Sequence, residues 1–223
     1  MIKNYIKIVF ILIFLNSICM ADQFKYKWSS YTTYFQQNID ERGNNIETGA
    51  KYLDGKILFP RVIFSFNNEI TEKISDGELG TASTLIGDKR VLGLGGGLCQ
   101  VSSTLYAAVL YAGLSIFERK PHSKLVSYIP PGLDATVSID EGIDLKFYNP
   151  YTCNLMIKSE VEGNSLKITI LGTKPKVREI KVYVAKPIKQ EQFLLTTTTR
   201  TVFSSGKELF SEIVSRDKYL IPE

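Results

Sequence analysis

Gly95-Gly96-Gly97-Leu98-Cys99-Gln100-Val101-Ser102-Ser103-Thr104-Leu105-Tyr106 opens the strongest helical signal in this sequence. From Leu98 to Gly113 there is no proline and no interior glycine. Val101, Leu105, Ala108, Val109 and Ala112 recur at spacings of three and four, so they share one helical face. Cys99, Ser102, Ser103 and Tyr106 share a second, more polar face. Gly113 stands where a helix end favours a left-handed residue. The pattern predicts a helix over 98–113, entered through a glycine loop, with Cys99 in its first turn.

Outward from the helix the period changes. Downstream, 115–119, 124–129, 135–139, 143–148, 155–160 and 166–171 read as strands, separated by turns such as Pro130-Pro131-Gly132 and Glu162-Gly163-Asn164. Closely spaced strands of this kind favour antiparallel pairing. Further on, 180–185, 193–203 and 208–214 read as β again, the last two joined through Ser204-Ser205-Gly206-Lys207. Upstream, 31–35 reads as a short strand, Arg42-Gly43-Asn44-Asn45 as a turn, 46–53 as a short helix, and 56–60 and 62–66 as extended. Residues 75–90, punctuated by Gly77, Gly80 and Gly87, read as a loop placed to act as a lid before the glycine run. The expected fold class is α+β: a mostly antiparallel sheet packed around one central helix (98–113), with a C-terminal β-hairpin extension.

The N-terminus has the layout of an export signal. Lys3 and Lys7 precede the apolar run Ile8 to Leu15, which fades into Ser17-Ile18-Cys19-Met20-Ala21. That run is shorter than the roughly 20 apolar residues a membrane span needs. Cleavage after Ala21 is the first expectation, and a lipid on Cys19 or an uncleaved anchor are the alternatives. The expected organisation is a signal peptide at 1–21, the main domain at 22–173 and a β extension of that domain at 174–223. The protein is thus expected to be exported, periplasmic or at the cell surface, touching the membrane only through its N-terminal segment or a lipid on Cys19.

Without the leader the chain has 25 basic against 23 acidic residues and no basic stripe, which argues against a nucleic-acid partner. His122 is the single histidine, so a multi-histidine metal site is excluded, and no cofactor is expected. Cys99 and Cys153 are the cysteines left, a pair that could bridge in an oxidising compartment.

The candidate chemistry centres on Cys99. Free amides and the dipole at a helix N-terminus favour negative charge, and so a thiolate. Gly95, Gly96 and Gly97 would let backbone amides approach a ligand and hold an oxyanion. A nucleophile also needs a base and an orienting group; His122 and then Asp134 follow in the order used by papain-like cysteine hydrolases. Asp144 is a second candidate for the orienter. Gln100, Ser102 and Ser103 would supply polar contacts to a ligand.

The run from Gly95 to Tyr106 resembles the central signature of the VanW family. The resemblance continues in Glu118-Arg119 with His122-Ser123, in Tyr128, in Pro131-Gly132-Leu133-Asp134-Ala135-Thr136-Val137, and in Asp144-Leu145-Lys146-Phe147 with Asn149. Upstream, Arg42, Asn45-Ile46, Gly55, Pro60 and Phe64-Ser65-Phe66-Asn67 are similar, and at the C-terminus Thr199 to Phe203 and Asp217-Lys218-Tyr219. Arg61 departs from the pattern, standing where the family usually has glycine. The resemblance implies the cell envelope. The family takes its name from glycopeptide-resistance gene clusters, in which it is an accessory and not the enzyme that remodels the precursor.

Three roles are open to Cys99. It could be the nucleophile of an acyl transfer or hydrolysis on peptidoglycan or its peptides, with His122 as base and Asp134 as orienter. The glycine loop could instead belong to a non-catalytic module that binds a peptide carboxylate. Or Cys99 could be a structural residue, bridged to Cys153 or packed in a core.

Overall fold

The computed structural model describes residues 23–36, 40–75, 77–86 and 89–221, so the leader and Cys19 lie outside the described residues. The fold is α+β. Helix α3, Leu98–Ala112, is its centre, and nearly every residue along it is buried. It lies across a four-stranded antiparallel sheet in the order β1 (Tyr26–Tyr34), β9 (Ser165–Gly172), β8 (Leu155–Glu162), β2 (Ile57–Leu58). Leu166, Ile168 and Ile170 of β9, with Leu155 and Ile157 of β8, alternate onto the helix side and join Leu105 and Val109 in one core. Hydrogen bonds fix β1 against the helix: Ser29 Oγ donates to Ala108 O at 2.7 Å, and Thr33 and Thr104 hydroxyls meet at 2.8 Å.

The helix ends as its sequence requires. Gly113 takes φ 85°, its N–H bonds back to Leu110 O, and Leu114 N–H reaches Val109 O at 3.0 Å. This closes the last turn through a left-handed glycine. The polar face is not open, however. Residues 135–137 lie along it, and Ser102 and Ser103 hydroxyls donate to Ala135 O at 2.6 and 3.2 Å.

A second helix, α1 (Arg42–Leu53), packs on α3 where Gly49 has no side chain. A Cβ there would stand 2.9 Å from Leu98 Cδ2. Arg42-Gly43-Asn44-Asn45, expected as a turn, forms the first turn of this helix. Tertiary bonds compensate for its weak helix formers: the Asn45 amide donates to Gly80 O at 2.9 Å and Gly96 O at 3.0 Å, and accepts from Gly80 N at 2.8 Å.

β3 (Ile63–Ser65), β6 (Ser115–Glu118) and β7 (Lys146–Tyr148) build a smaller antiparallel sheet in the order β3–β7–β6, and the short helix α2 (Phe66–Glu69) follows β3. Arg61 at the sheet entry holds φ 60°, a left-handed conformation that favours glycine. Residues 75–90 are not a loop throughout: β4 (Thr81–Ile86) and β5 (Lys89–Leu94) pair as a hairpin. Residues 124–129 and 135–139 belong to no ladder, and only single bridges occur there, such as Lys120 with Thr136.

The chain ends in a third sheet. β12 (Phe193–Ser204) pairs with β10 (Glu179–Val184), β11 (Ile188–Gln190) and β13 (Lys207–Leu220). It is tied to the helix end by Arg200, whose Nη1 donates to Leu114 O at 2.6 Å. Among the described residues no helix is long and apolar enough to cross a membrane.

Candidate functional site

The mouth of the molecule near the N-terminus of α3 is a cleft of about 810 Å³. Cys99, Gly97 and Gln100 form its floor, with His122, Tyr128 and Arg42 around them. Cys99 is part-buried and carries a free thiol, as does buried Cys153. The bridge between these cysteines that the sequence left open is therefore absent.

Cys99, His122 and Asp134 converge although 23 residues separate the first two in the chain. His122 Nδ1 lies 2.7 Å from Asp134 Oδ2, and the same oxygen accepts from the His122 backbone N–H at 2.7 Å. One carboxylate oxygen thus fixes both ring and main chain. With Nδ1 committed to Asp134, Nε2 is the ring nitrogen left for the cleft, where Cys99 lies near enough for the two groups to shift each other's ionisation. The Tyr128 hydroxyl stands 3.5 Å from Nε2. Cys99 Sγ also reaches Val137 O at 3.5 Å.

Charge follows this geometry. Burial works against a thiolate, but the interaction with His122, helped by Val137 and the Arg42 charge, outweighs it and holds Cys99 below the usual thiol range. Burial likewise opposes an imidazolium, yet Asp134 and Cys99 push His122 up to about 9. For Asp134, burial is overcome by His122 and Arg119, which lower its pKa. Each of Cys99 and His122 thus favours the charged form of the other.

Asp134 is held from behind. Its Oδ1 accepts from Arg119 Nη2 at 3.0 Å and from Tyr219 OH at 2.6 Å. Arg119 also donates from Nε to Asp134 O and from Nη1 to Asp217 Oδ1, both at 2.6 Å. Its guanidinium carbon sits 5.1 Å from the Tyr106 ring centroid.

The remaining expected residues divide. Gln100 is wholly buried: its amide donates to Thr33 Oγ1 and Tyr34 O, and its Oε1 accepts from Arg42 Nη2, each at 3.0 Å. Ser102 and Ser103 face Ala135 and the Cys99 carbonyl, away from the cleft. Gly95 and Gly96 pack against protein: Gly95 N–H donates to Gly80 O at 3.1 Å, and a Cβ on Gly96 would lie 2.7 Å from Ala82 O. Their glycine character thus answers a backbone approach within the fold. Asp144 is engaged elsewhere, accepting from Ser65 Oγ, Asn67 N and Leu145 N. Arg42, Arg119, Tyr128, Asp217 and Tyr219 had no assigned role in the sequence. Arg42, which stands over the Tyr128 ring at 5.6 Å, donates to the neutral oxygens of Gln100 and Ser83 and keeps its charge beside the thiol.

Fold and geometry together define an α+β protein whose cleft is lined by a cysteine and a histidine, with a buried aspartate holding the histidine from behind. Residues 41–171 match the family described as VanW like protein, and the chain belongs to that family. It is 40% identical over 143 residues to the uncharacterized protein YoaR of Bacillus subtilis (strain 168), covering 64% of this chain and 47% of YoaR. It is 33% identical over 121 residues to the vancomycin B-type resistance protein VanW of Enterococcus faecalis (strain ATCC 700802 / V583), covering 51% of this chain and 42% of that protein. The chain therefore spans less than half the length of these relatives. No solved structure matches it.

Proposed function

We propose that this protein is an exported envelope protein that acts on cell-wall peptides by cysteine-dependent acyl transfer or hydrolysis. The observation that carries this reading is the convergence on one cleft of the free Cys99 thiol and the His122 ring, the latter bonded through Nδ1 to Asp134. The likeness to a vancomycin resistance protein supports a cell-wall setting, and the leader-like residues 1–21 support export.

In the proposed reaction the Cys99 thiolate attacks an amide or ester carbonyl, and a carbon–sulfur bond forms. The carbonyl electrons move to oxygen, where the Cys99 amide at the N-terminus of α3 and the Arg42 charge offset them, the Leu98, Gln100 and Val101 amides being already bonded to Gly95 O and Gly97 O. As the tetrahedral adduct collapses, the carbon–nitrogen or carbon–oxygen bond breaks, and imidazolium His122 gives its proton to the leaving group. Neutral His122 then takes a proton from water or an acceptor amine, which attacks the thioester and releases Cys99. Asp134 holds the ring in the tautomer and orientation both steps need.

Turnover of peptidoglycan stem peptides, followed by mass spectrometry, tests this. The native protein is expected to show product and an acyl adduct on Cys99. Cys99→Ala should lose turnover by on the order of 10⁴-fold or more while its thermal melt stays near native. Undiminished turnover in Cys99→Ala would end the proposal.

Arg42 favours a second reading. A guanidinium in the cleft that, among the described residues, bonds neutral oxygens alone suits a bound carboxylate, so the site would also serve a non-catalytic carboxylate-binding module. In that case peptide affinity survives Cys99→Ala, no turnover is found in any variant, and Arg42→Ala abolishes binding.

A further inference from the structure

We propose that the C-terminal strand β13 completes the site, with Asp217 and Tyr219 acting as positioning residues for Asp134 and, through it, His122. The proposal rests on the Cys99–His122–Asp134 reading and extends it to a part of the chain outside the family match at 41–171.

The supporting contacts are short and buried. Tyr219 OH donates to Asp134 Oδ1 at 2.6 Å and accepts from Gly132 N at 2.7 Å, with Tyr219 only 1% exposed. Asp217 Oδ1 takes Arg119 Nη1 at 2.6 Å, and its other oxygen accepts from Ser215 Oγ at 2.9 Å. β13 also bonds the His122 segment directly, Leu220 N–H donating to Ser123 O at 2.7 Å beside a parallel bridge between Lys124 and Leu220. One strand therefore touches the two residues that follow His122 as well as the carboxylate that orients its ring.

The second line of support is the sign of the charges. From β13 to the cleft they alternate: Asp217 negative, Arg119 positive, Asp134 negative, His122 positive, Cys99 negative as thiolate. Arg119 is shared between two carboxylates. Asp217 takes up part of its charge, and Asp134 keeps more of its own for the imidazolium. The other ionisable groups facing this line are Tyr106 from α3 beneath Arg119, Tyr219 from β13, Tyr128 beside His122, and Arg42 from α1 near the thiol.

The two residues therefore have opposite expected signatures. Asp217→Asn turns the whole Arg119 charge on Asp134, weakens its hold on the imidazolium and moves the His122 titration to lower pH. Tyr219→Phe removes a donor from Asp134 and leaves more negative charge facing His122. That titration should not fall, although turnover should drop as the carboxylate loses one of its anchors. A merely structural role would move both in the same way.

His122 is the single histidine of the chain, so its imidazole resonances in the full-length protein report the site without ambiguity. NMR titration of native protein, Asp217→Asn and Tyr219→Phe, each checked for folding by circular dichroism, tests the proposal. The expected result is a high titration in the native protein, a downward shift in Asp217→Asn and none in Tyr219→Phe. If Asp217→Asn does not fold, Tyr219→Phe alone decides: reduced turnover with an unlowered titration supports the proposal, and native turnover overturns it. Identical titration in a folded Asp217→Asn and the native protein also overturns it, while a native His122 titrating at its ordinary value sinks the underlying Cys–His–Asp reading instead.

Discussion

Replacing Arg119 with alanine is expected to destabilise the protein by roughly 3–5 kcal/mol, the usual cost of stripping one partner from a buried ionic cluster. The Arg119 side chain is 4% exposed, and the two carboxylates it joins, Asp134 and Asp217, are 1% and 4% exposed. Without the guanidinium both anions stay buried. Asp134 retains His122 and Tyr219 as partners, whereas Asp217 retains only Ser215 among the bonds described above. The ring of Tyr106 also loses the cation lying over it. Urea unfolding measures the loss as a lower midpoint at unchanged slope. Arg200 supplies the contrast: its partner Glu212 is 43% exposed, so water can replace that pairing. A loss in Arg119→Ala below about 1 kcal/mol, the range of an exposed pair, would contradict the cluster described here.

Asp134→Asn should have the largest effect on chemistry, lowering turnover by about 10²–10⁴-fold. Four donors converge on this carboxylate: the His122 backbone N–H and Nδ1, Arg119 Nη2 and Tyr219 OH. An amide presents its own N–H₂ to two of them whichever way it turns, so size is kept while either Arg119 Nη2 or the His122 backbone N–H meets donor against donor, and the Tyr219 hydroxyl or His122 Nδ1 must turn acceptor. The direction for His122 follows from its balance. Burial lowers its pKa, and Asp134 with Cys99 raises it to about 9. With the carboxylate gone, burial prevails and the imidazolium is lost at lower pH. The thiolate then loses its counter-charge, so Cys99 should require higher pH to react. Turnover in the native protein is expected to rise as Cys99 ionises and fall as His122 deprotonates near pH 9, with the alkaline limb displaced to lower pH in Asp134→Asn.

Helix α3 was legible in the sequence because burial, spacing and a left-handed terminal glycine agree at 98–113. Cys99, His122 and Asp134 were legible as a set because only one histidine exists to serve as a base. Other features misled for physical reasons. Ala135 and Val137 alternate with Thr136 and Ser138 as in a strand, but the period comes from an extended segment lying on α3, bonded to serine hydroxyls. Gly80 looked like loop punctuation, and its close approach to α1 is fixed by Asn45, 35 residues away. Asp217 and Tyr219 were invisible as site residues, since charges and tyrosines near a chain end are ordinarily solvated and their contact with Asp134 and Arg119 spans 85 and 98 residues. Gly95 and Gly96 were assigned to a ligand on the strength of backbone access, whereas the access is used by Gly80 and the β4 backbone.

The proposed chemistry requires a thiol whose ionisation is governed by one imidazole. Iodoacetamide alkylation of Cys99 across pH, in the native protein and in His122→Ala, measures this directly, with Cys153 counted separately by peptide mapping. Below-ordinary titration in the native protein, returning to about 8.5 or above once His122 is removed, is the predicted result. Superimposable titrations in the two proteins, both at an ordinary thiol value, would contradict it.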